Sequence, residues 1–134
     1  MTAFEDLERE VGKLPEVELG IVHDFCEGIY ARTMIMLPGT IVVGMTHAHG
    51  ALTVVRSGRC TVNTGNDVLE CFGGEMFVSE AGAKRAFFAH ERTVVTCFVA
   101  NPQEIREPDK LWNYYTVDNN LVEHKEQELL EGAA

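Results

Sequence analysis

The segment "GTIVVGMTHAHGALTVVRSG", residues 39–58, decides how the rest of the chain is interpreted. Its β-branched residues predict strands over residues 40–48 and 51–56, followed by a turn at Ser57-Gly58. Because side chains alternate between the two faces of a strand, His47 and His49 are expected on one face. Two imidazoles placed in this way can bind one metal ion, although an exposed pair or two core-filling histidines would give the same letters.

Short strands are also predicted on both sides of this segment. They cover residues 29–37, 59–64, 67–72, 75–79, 84–90 and 92–100, and a further strand fits within residues 17–28. Repeats of about 8–12 residues with turn residues between them are typical of a β-sandwich or barrel. The gaps are too short for crossover helices, so the strands should pair in antiparallel fashion. The sequence therefore predicts an all-β domain.

Helices are predicted only at the two termini. Residues 3–12 form the first, with a capping box at Thr2 and Glu5, and residues 121–131 form the second, capped by Asn120 and Glu123. The chain is interpreted as one domain with three parts: an N-terminal helix and arm (1–15), a barrel (16–101), and a C-terminal connector and helix (102–134). The aromatic run "LWNYY", residues 111–115, either packs on the outside of a sheet or covers the mouth of the barrel.

Composition excludes several classes of partner. The chain has 21 acidic and 11 basic residues and a net charge of −10, without a basic cluster. Nucleic-acid binding and binding to an anionic membrane are therefore disfavoured. There is no apolar stretch of about 18 residues, no secretory signal pattern, and no C-x-x-C motif among the four cysteines. We expect a cytoplasmic protein with free thiols.

Two groups of residues resemble the two motifs of the cupin family. The first contains Gly39, His47-x-His49 and Gly58, and the second contains Gly74-x5-Glu80-x-Gly82. The resemblance covers residues 30–100 and is strongest to the short single-domain cupins found in bacterial and phage genomes. It implies the cupin double-stranded β-helix, a jelly-roll barrel, here with short N- and C-terminal helices.

The resemblance also implies a metal site, but an incomplete one. Cupins usually bind metal through both histidines of the first motif, the glutamate that follows them, and a histidine of the second motif. His47 and His49 match, whereas Ala51 stands near the expected glutamate and Arg85 occupies the fourth position. Arginine cannot bind a cation. A divalent ion (Zn, Ni, Mn or Fe) on His47 and His49 alone would be held weakly. Other candidate ligands are His90, Cys60, Cys71 and Cys97.

The replacement of two expected metal ligands by Ala51 and Arg85 favours the binding of an anion. If Arg85 points into the barrel, its guanidinium and the imidazoles of His47 and His49 form a cluster of hydrogen-bond donors suited to a carboxylate or phosphate. The alternative places Arg85 at the mouth of the barrel, facing water and paired with Glu80 or Glu91.

Two classes of function follow from the resemblance. In the first, the protein binds a small anionic molecule, with or without a divalent metal, and acts as an isomerase, a lyase or a dioxygenase-like enzyme. His47 and His49 would then hold the metal, and Arg85 would be the catalytic residue that orients the substrate. In the second, the protein is a non-catalytic cupin that serves as a binding or assembly module. A homodimer formed through sheet edges is expected in either case.

Overall fold

The computed structural model describes residues 3–15 and 18–117. The elements in chain order are α1 (Ala3–Val11), β1 (Gly20–Cys26), β2 (Ile29–Met36), β3 (Ile41–Val43), β4 (Ala51–Ser57), β5 (Arg59–Asn63), β6 (Val68–Phe72), β7 (Met76–Ser79), β8 (Ala86–Ala89), β9 (Thr93–Ala100) and α2 (Pro108–Tyr115). The strands form a five-stranded sheet in the order β1-β2-β9-β4-β7 and a four-stranded sheet in the order β3-β8-β5-β6. All strand pairs are antiparallel, as the turn spacing predicted.

The strands predicted over residues 29–37 and 51–100 are confirmed to within two residues at each end. Glycines set several of these ends by adopting positive φ angles. Gly58, between β4 and β5, has a φ of 93°, and a Cβ there would overlap the carbonyl oxygen of Arg92 and lie 2.6 Å from Oγ1 of Thr93. Only glycine fits this turn without strain, which is why the Ser57-Gly58 signal was reliable.

The strand predicted over residues 40–48 is wrong beyond Val43, where β3 ends. The backbone of residues 46–48 leaves the sheet and hydrogen-bonds to two other segments. The amide of His47 donates to the carbonyl of Ala83 (2.9 Å), and the amide of Ala48 donates to the carbonyl of Tyr115 (2.8 Å). His47 also forms an isolated bridge with Thr116. These partners are distant in sequence, so the alternation that placed both histidines on one face does not apply.

The first predicted helix is confirmed as α1. It packs on the outer face of the four-stranded sheet, where Val11, Val43 and Ala86 form a buried cluster. The second predicted helix, residues 121–131, lies outside the described residues. No helix within residues 3–15 and 18–117 is long and apolar enough to cross a membrane.

Helix α2 was not predicted. The side chain of Asn101 fixes the approach to it by donating to the carbonyl of Ile105 (2.8 Å) and accepting from the amide of Ile105 (3.0 Å). Pro108 occupies the first turn of α2, where its missing N–H is harmless. Leu111 and Tyr115 are buried, so the helix closes one end of the barrel. The homodimer through sheet edges stays a prediction.

Candidate functional site

A cavity of about 90 Å³ lies inside the barrel, at the end covered by α2. Residues from both sheets and from α2 contribute to its wall, and the polar ones are Tyr30, Arg32, His47, Thr53, Ser79, Arg85, Cys97, Trp112, Tyr115 and Thr116. Within residues 3–15 and 18–117, no aspartate or glutamate lines it, although the chain carries 21 acidic residues. The cavity is therefore cationic inside an acidic protein.

Arg85 lies at one side of the cavity. Its Nε donates to Oγ of Ser79 (2.8 Å) and its Nη2 donates to the carbonyl of Val78 (3.2 Å). The Cζ atom is 4.8 Å from the centroid of the Phe77 ring, which supports the flat guanidinium. Burial lowers the pKa of Arg85, but a guanidinium remains charged in a protein.

Arg85 does not form the ion pairs with glutamate that the sequence offered as an alternative. Neither Glu80 nor Glu91 forms an ion pair with it in the described part of the chain. Two hydrogen bonds leave several of the five guanidinium N–H groups available to a bound molecule.

His47 lies close enough to Arg85 for the two charges to interact. Burial and the charge of Arg85 both lower the pKa of His47, so its ring is neutral at pH 7. The Nδ1 atom is buried and has no hydrogen-bond partner among the residues that the structure describes. Leaving such a group unpaired costs about 1–3 kcal/mol. Because Nδ1 has almost no accessible surface, a bound molecule reaches it only if the imidazole turns towards the cavity.

Arg32, Trp112 and Tyr30 form the other side of the cavity. The Cζ atom of Arg32 is 5.2 Å from the centroid of the Trp112 ring. The indole Nε1 of Trp112 is a second buried polar atom without a partner. The Tyr30 hydroxyl hydrogen-bonds to Nδ1 of His23 (2.6 Å), and burial raises the pKa of Tyr30 to about 12, so the phenol is neutral.

Sequence reasoning missed Arg32 and Tyr30. A signal was present, because "IYARTMIM" in β2 places Tyr30, Arg32, Met34 and Met36 on one face by alternation. A charged residue on an otherwise apolar, inward-facing row marks a polar pocket.

His49 does not line the cavity. Its side chain is exposed and its ring stacks on Tyr114, with the ring centroids 4.7 Å apart. The structure therefore brings His47 and Arg85 together and leaves His49 apart from them.

The metal site implied by the family does not fit the residues of the cavity. Within the described ranges, no group of three or more histidine, cysteine, aspartate or glutamate side chains is placed to hold a metal ion. Of those residue types, the cavity is lined only by His47 and Cys97, and burial raises the pKa of the Cys97 thiol. Two guanidinium groups in the same cavity would repel a cation.

Comparison with solved structures identifies the fold. The structure is similar to an uncharacterised protein with a double-stranded β-helix domain from Klebsiella pneumoniae (TM-score 0.57, 18% identity, 73% of this chain and 90% of that chain). It is also similar to an RmlC-like cupin from Shewanella frigidimarina (TM-score 0.56, 17% identity, 72% and 90%). A salicylate 1,2-dioxygenase from Pseudaminobacter salicylatoxidans matches with a TM-score of 0.60 and 13% identity, over 83% of this chain and 33% of that chain.

The chain therefore has the cupin fold, as the resemblance in its motifs predicted. Its length matches that of the small single-domain cupins rather than that of the dioxygenase. No protein-family model matches the sequence, and the search of curated proteins found no match. At these levels of identity the likeness defines the fold alone.

Proposed function

We propose that the protein binds a small organic anion in the barrel cavity and that it does so without a metal ion. One observation carries the proposal: Arg85, which uses only two of its guanidinium N–H groups within the described residues, and His47 both line a cavity to which no described aspartate or glutamate contributes. A carboxylate supplies what both groups lack, namely negative charge and hydrogen-bond acceptors.

The expected binding geometry follows from the chemistry of the two side chains. Ser79 and Phe77 hold the guanidinium of Arg85 in one orientation, which favours a bidentate carboxylate. His47 then donates from Nδ1, either as the tautomer protonated there or as the imidazolium. A charge-assisted hydrogen bond of this kind contributes about 1.5–3 kcal/mol.

The metal-dependent enzyme has less support. An isomerase, lyase or dioxygenase of that type needs an ion held by several ligands with one position open to substrate. The described residues offer one imidazole in the cavity, with His49 turned towards Tyr114. The likeness to the salicylate dioxygenase extends to the fold and carries no argument about activity here. A binding module, the second class of function expected from the sequence, agrees better with the donor set.

Calorimetric titration with acetate, butyrate, succinate, benzoate and inorganic phosphate tests the proposal. We expect saturable binding of at least one carboxylate, weakened about tenfold or more in Arg85→Met. Arg56→Met is the matched control, because Arg56 is an exposed arginine on β4 that does not line the cavity.

Metal content separates the two classes of function. Untagged protein should contain well under one equivalent of metal, and a chelator should leave carboxylate binding unchanged. Loss of binding after chelation, equal binding by wild type and Arg85→Met, or the absence of saturable heat with every compound would each contradict the proposal.

A further inference from the structure

The side of the cavity opposite Arg85 carries a second cation. Arg32 lines the cavity from the inner face of β2, and no ion pair joins it to an acidic residue within the described ranges. Asp24, on the neighbouring strand β1, pairs with Ala31 and therefore lies on the opposite face of the sheet from Arg32. The charge of Arg32 is not neutralised from within the barrel.

A second donor accompanies Arg32. The indole Nε1 of Trp112 is buried without a partner, and an indole N–H can only donate. The Arg32 guanidinium lies over the same ring, so the two donors are held in a fixed relation. This end of the cavity repeats the arrangement at Arg85 and His47: one guanidinium beside one buried nitrogen that lacks a partner.

The register of the five-stranded sheet shows that Arg32 and Arg85 meet the cavity at different places. Arg32 pairs with Cys97, Cys97 with Thr53, and Thr53 with Phe77, across β2, β9, β4 and β7. Three strand spacings put the Cα atoms of Arg32 and Phe77 about 14 Å apart. The Arg85 guanidinium contacts the Phe77 ring and bonds to Ser79, so Arg85 meets the cavity near β7 and Arg32 meets it near β2, three strand spacings away.

A ligand with one acidic group can satisfy only one of these ends. We infer that the cavity is built for a short dicarboxylate, with one carboxylate at Arg85 and His47 and the other at Arg32 and Trp112. The inference rests on the proposed function and adds a class of ligand to it. A cavity of about 90 Å³ between two inward-reaching arginines leaves room for a short connecting chain, with apolar contacts from Val95 and Val99.

Arg32 and Trp112, the proposed site of the second carboxylate, are called the second anchor. Calorimetric titration with two ligands of equal carbon number tests it. Succinate and butyrate both have a four-carbon chain and differ in one carboxylate. We expect succinate to bind at least about tenfold more tightly than butyrate, since it gains a second charge-assisted contact. Within the series malonate, succinate and glutarate, affinity should peak at one length, because the distance between the two ends is fixed.

Substitutions identify the residues that make succinate bind more tightly than butyrate. Arg32→Met should abolish the preference for succinate over butyrate, and Arg85→Met should weaken both ligands. Trp112→Phe keeps an aromatic ring but removes the N–H, so it should reduce the preference for succinate several-fold. Trp112→Phe also tests the second anchor if Arg32→Met fails to fold. Arg56→Met should bind both ligands as wild type does.

The outcomes distinguish the two proposals. If butyrate and succinate bind equally and neither Arg32→Met nor Trp112→Phe changes the ratio, the second anchor is wrong while anion binding at Arg85 stands. If no carboxylate binds, both fail. Because Trp112 is the only tryptophan in the chain, its intrinsic fluorescence should change on succinate binding, and an unchanged spectrum would count against contact at this end.

Discussion

The two ends of the barrel interior are built on the same strands but serve different purposes. At one end Met36, Val55, Cys60 and Val62 have no exposed surface and belong to one hydrophobic cluster. At the other end the same inward rows carry Tyr30, Arg32 and Cys97, and a cavity replaces the packing. We call these the packed end and the hollow end. The inward-facing residue types therefore differ between the two ends, and α2 together with the pairing of residues 46–48 and 115–117 covers only the hollow end.

This division has an energetic reason. Filling the interior with hydrocarbon stabilises the fold through burial and close contact. A cavity lined by two arginines adds little to stability until a ligand occupies it. The packed end should therefore control unfolding, whereas the hollow end should control affinity.

The largest expected effect is on stability, from Met36→Ala at the packed end. Truncating a fully buried methionine leaves a void and should lower the free energy of unfolding by about 2–5 kcal/mol. Urea denaturation measures this change. Carboxylate affinity of the folded variant should match wild type, and a tenfold loss of affinity would show that the two ends are coupled.

The second-largest expected effect is on the alkylation rates of the cysteine thiols. Burial, with a further contribution from Cys71, raises the pKa of Cys60 to about 11 from its usual value of 9.0. The thiolate population of Cys60 at pH 8 should then be about a hundredfold below that of an ordinary cysteine. Alkylation by iodoacetamide, followed by mass spectrometry, should modify the exposed Cys26 first.

Cys97 provides the matching measurement at the hollow end, because it lines the cavity. Its modification should be slow, since burial raises its pKa, and slower still with succinate bound. If Cys60 reacts as fast as Cys26, the packed end is not closed. If succinate binds without protecting Cys97, the ligand lies elsewhere.

Arg85→Met should give the opposite result to Met36→Ala. It should weaken carboxylate binding about tenfold or more and lower the free energy of unfolding by about 1 kcal/mol, less than Met36→Ala does. The reason is that Arg85 pairs with no carboxylate among the described residues, so the main loss is its hydrogen bond to the buried Ser79. Calorimetry and urea denaturation on the same sample measure both quantities. A large loss of stability would mean that Arg85 holds the barrel together rather than serving a ligand.

The packed end was largely predictable from sequence, whereas the hollow end was only partly so. The strands from β4 to β9 depend on local signals, such as the turn at Gly58 and the alternation within each strand. Arg85 was found through the motif, and it does line the cavity.

The errors came from contacts that are distant in sequence. His49 was misplaced because residues 46–48 pair with residues 115–117 instead of continuing β3. Helix α2, which supplies Trp112, was not predicted: it begins at Pro108 in the connector and includes the aromatic run 111–115. No local pattern states which distant segment will cover a barrel.

The smallest expected effect is the pH dependence of stability contributed by His47 at the hollow end. Burial and then the charge of Arg85 lower its pKa in the folded protein, whereas the unfolded chain titrates near 6.5. Between these two values the unfolded state binds more protons, so the free energy of unfolding falls as the pH falls through that window. His23 contributes in the same direction, because burial lowers its pKa as well.

Urea denaturation of wild type and His47→Gln between about pH 7.5 and pH 5, the range in which histidine titrates, isolates the contribution of His47. The variant should lose stability less steeply on acidification, and His49→Gln should follow wild type, because His49 is exposed and stacks on Tyr114 outside the cavity. Adding succinate should reverse the effect, since a bound carboxylate favours the imidazolium and offsets the charge of Arg85. If succinate binds but the pH dependence of His47 is unchanged, the carboxylate does not lie beside this imidazole.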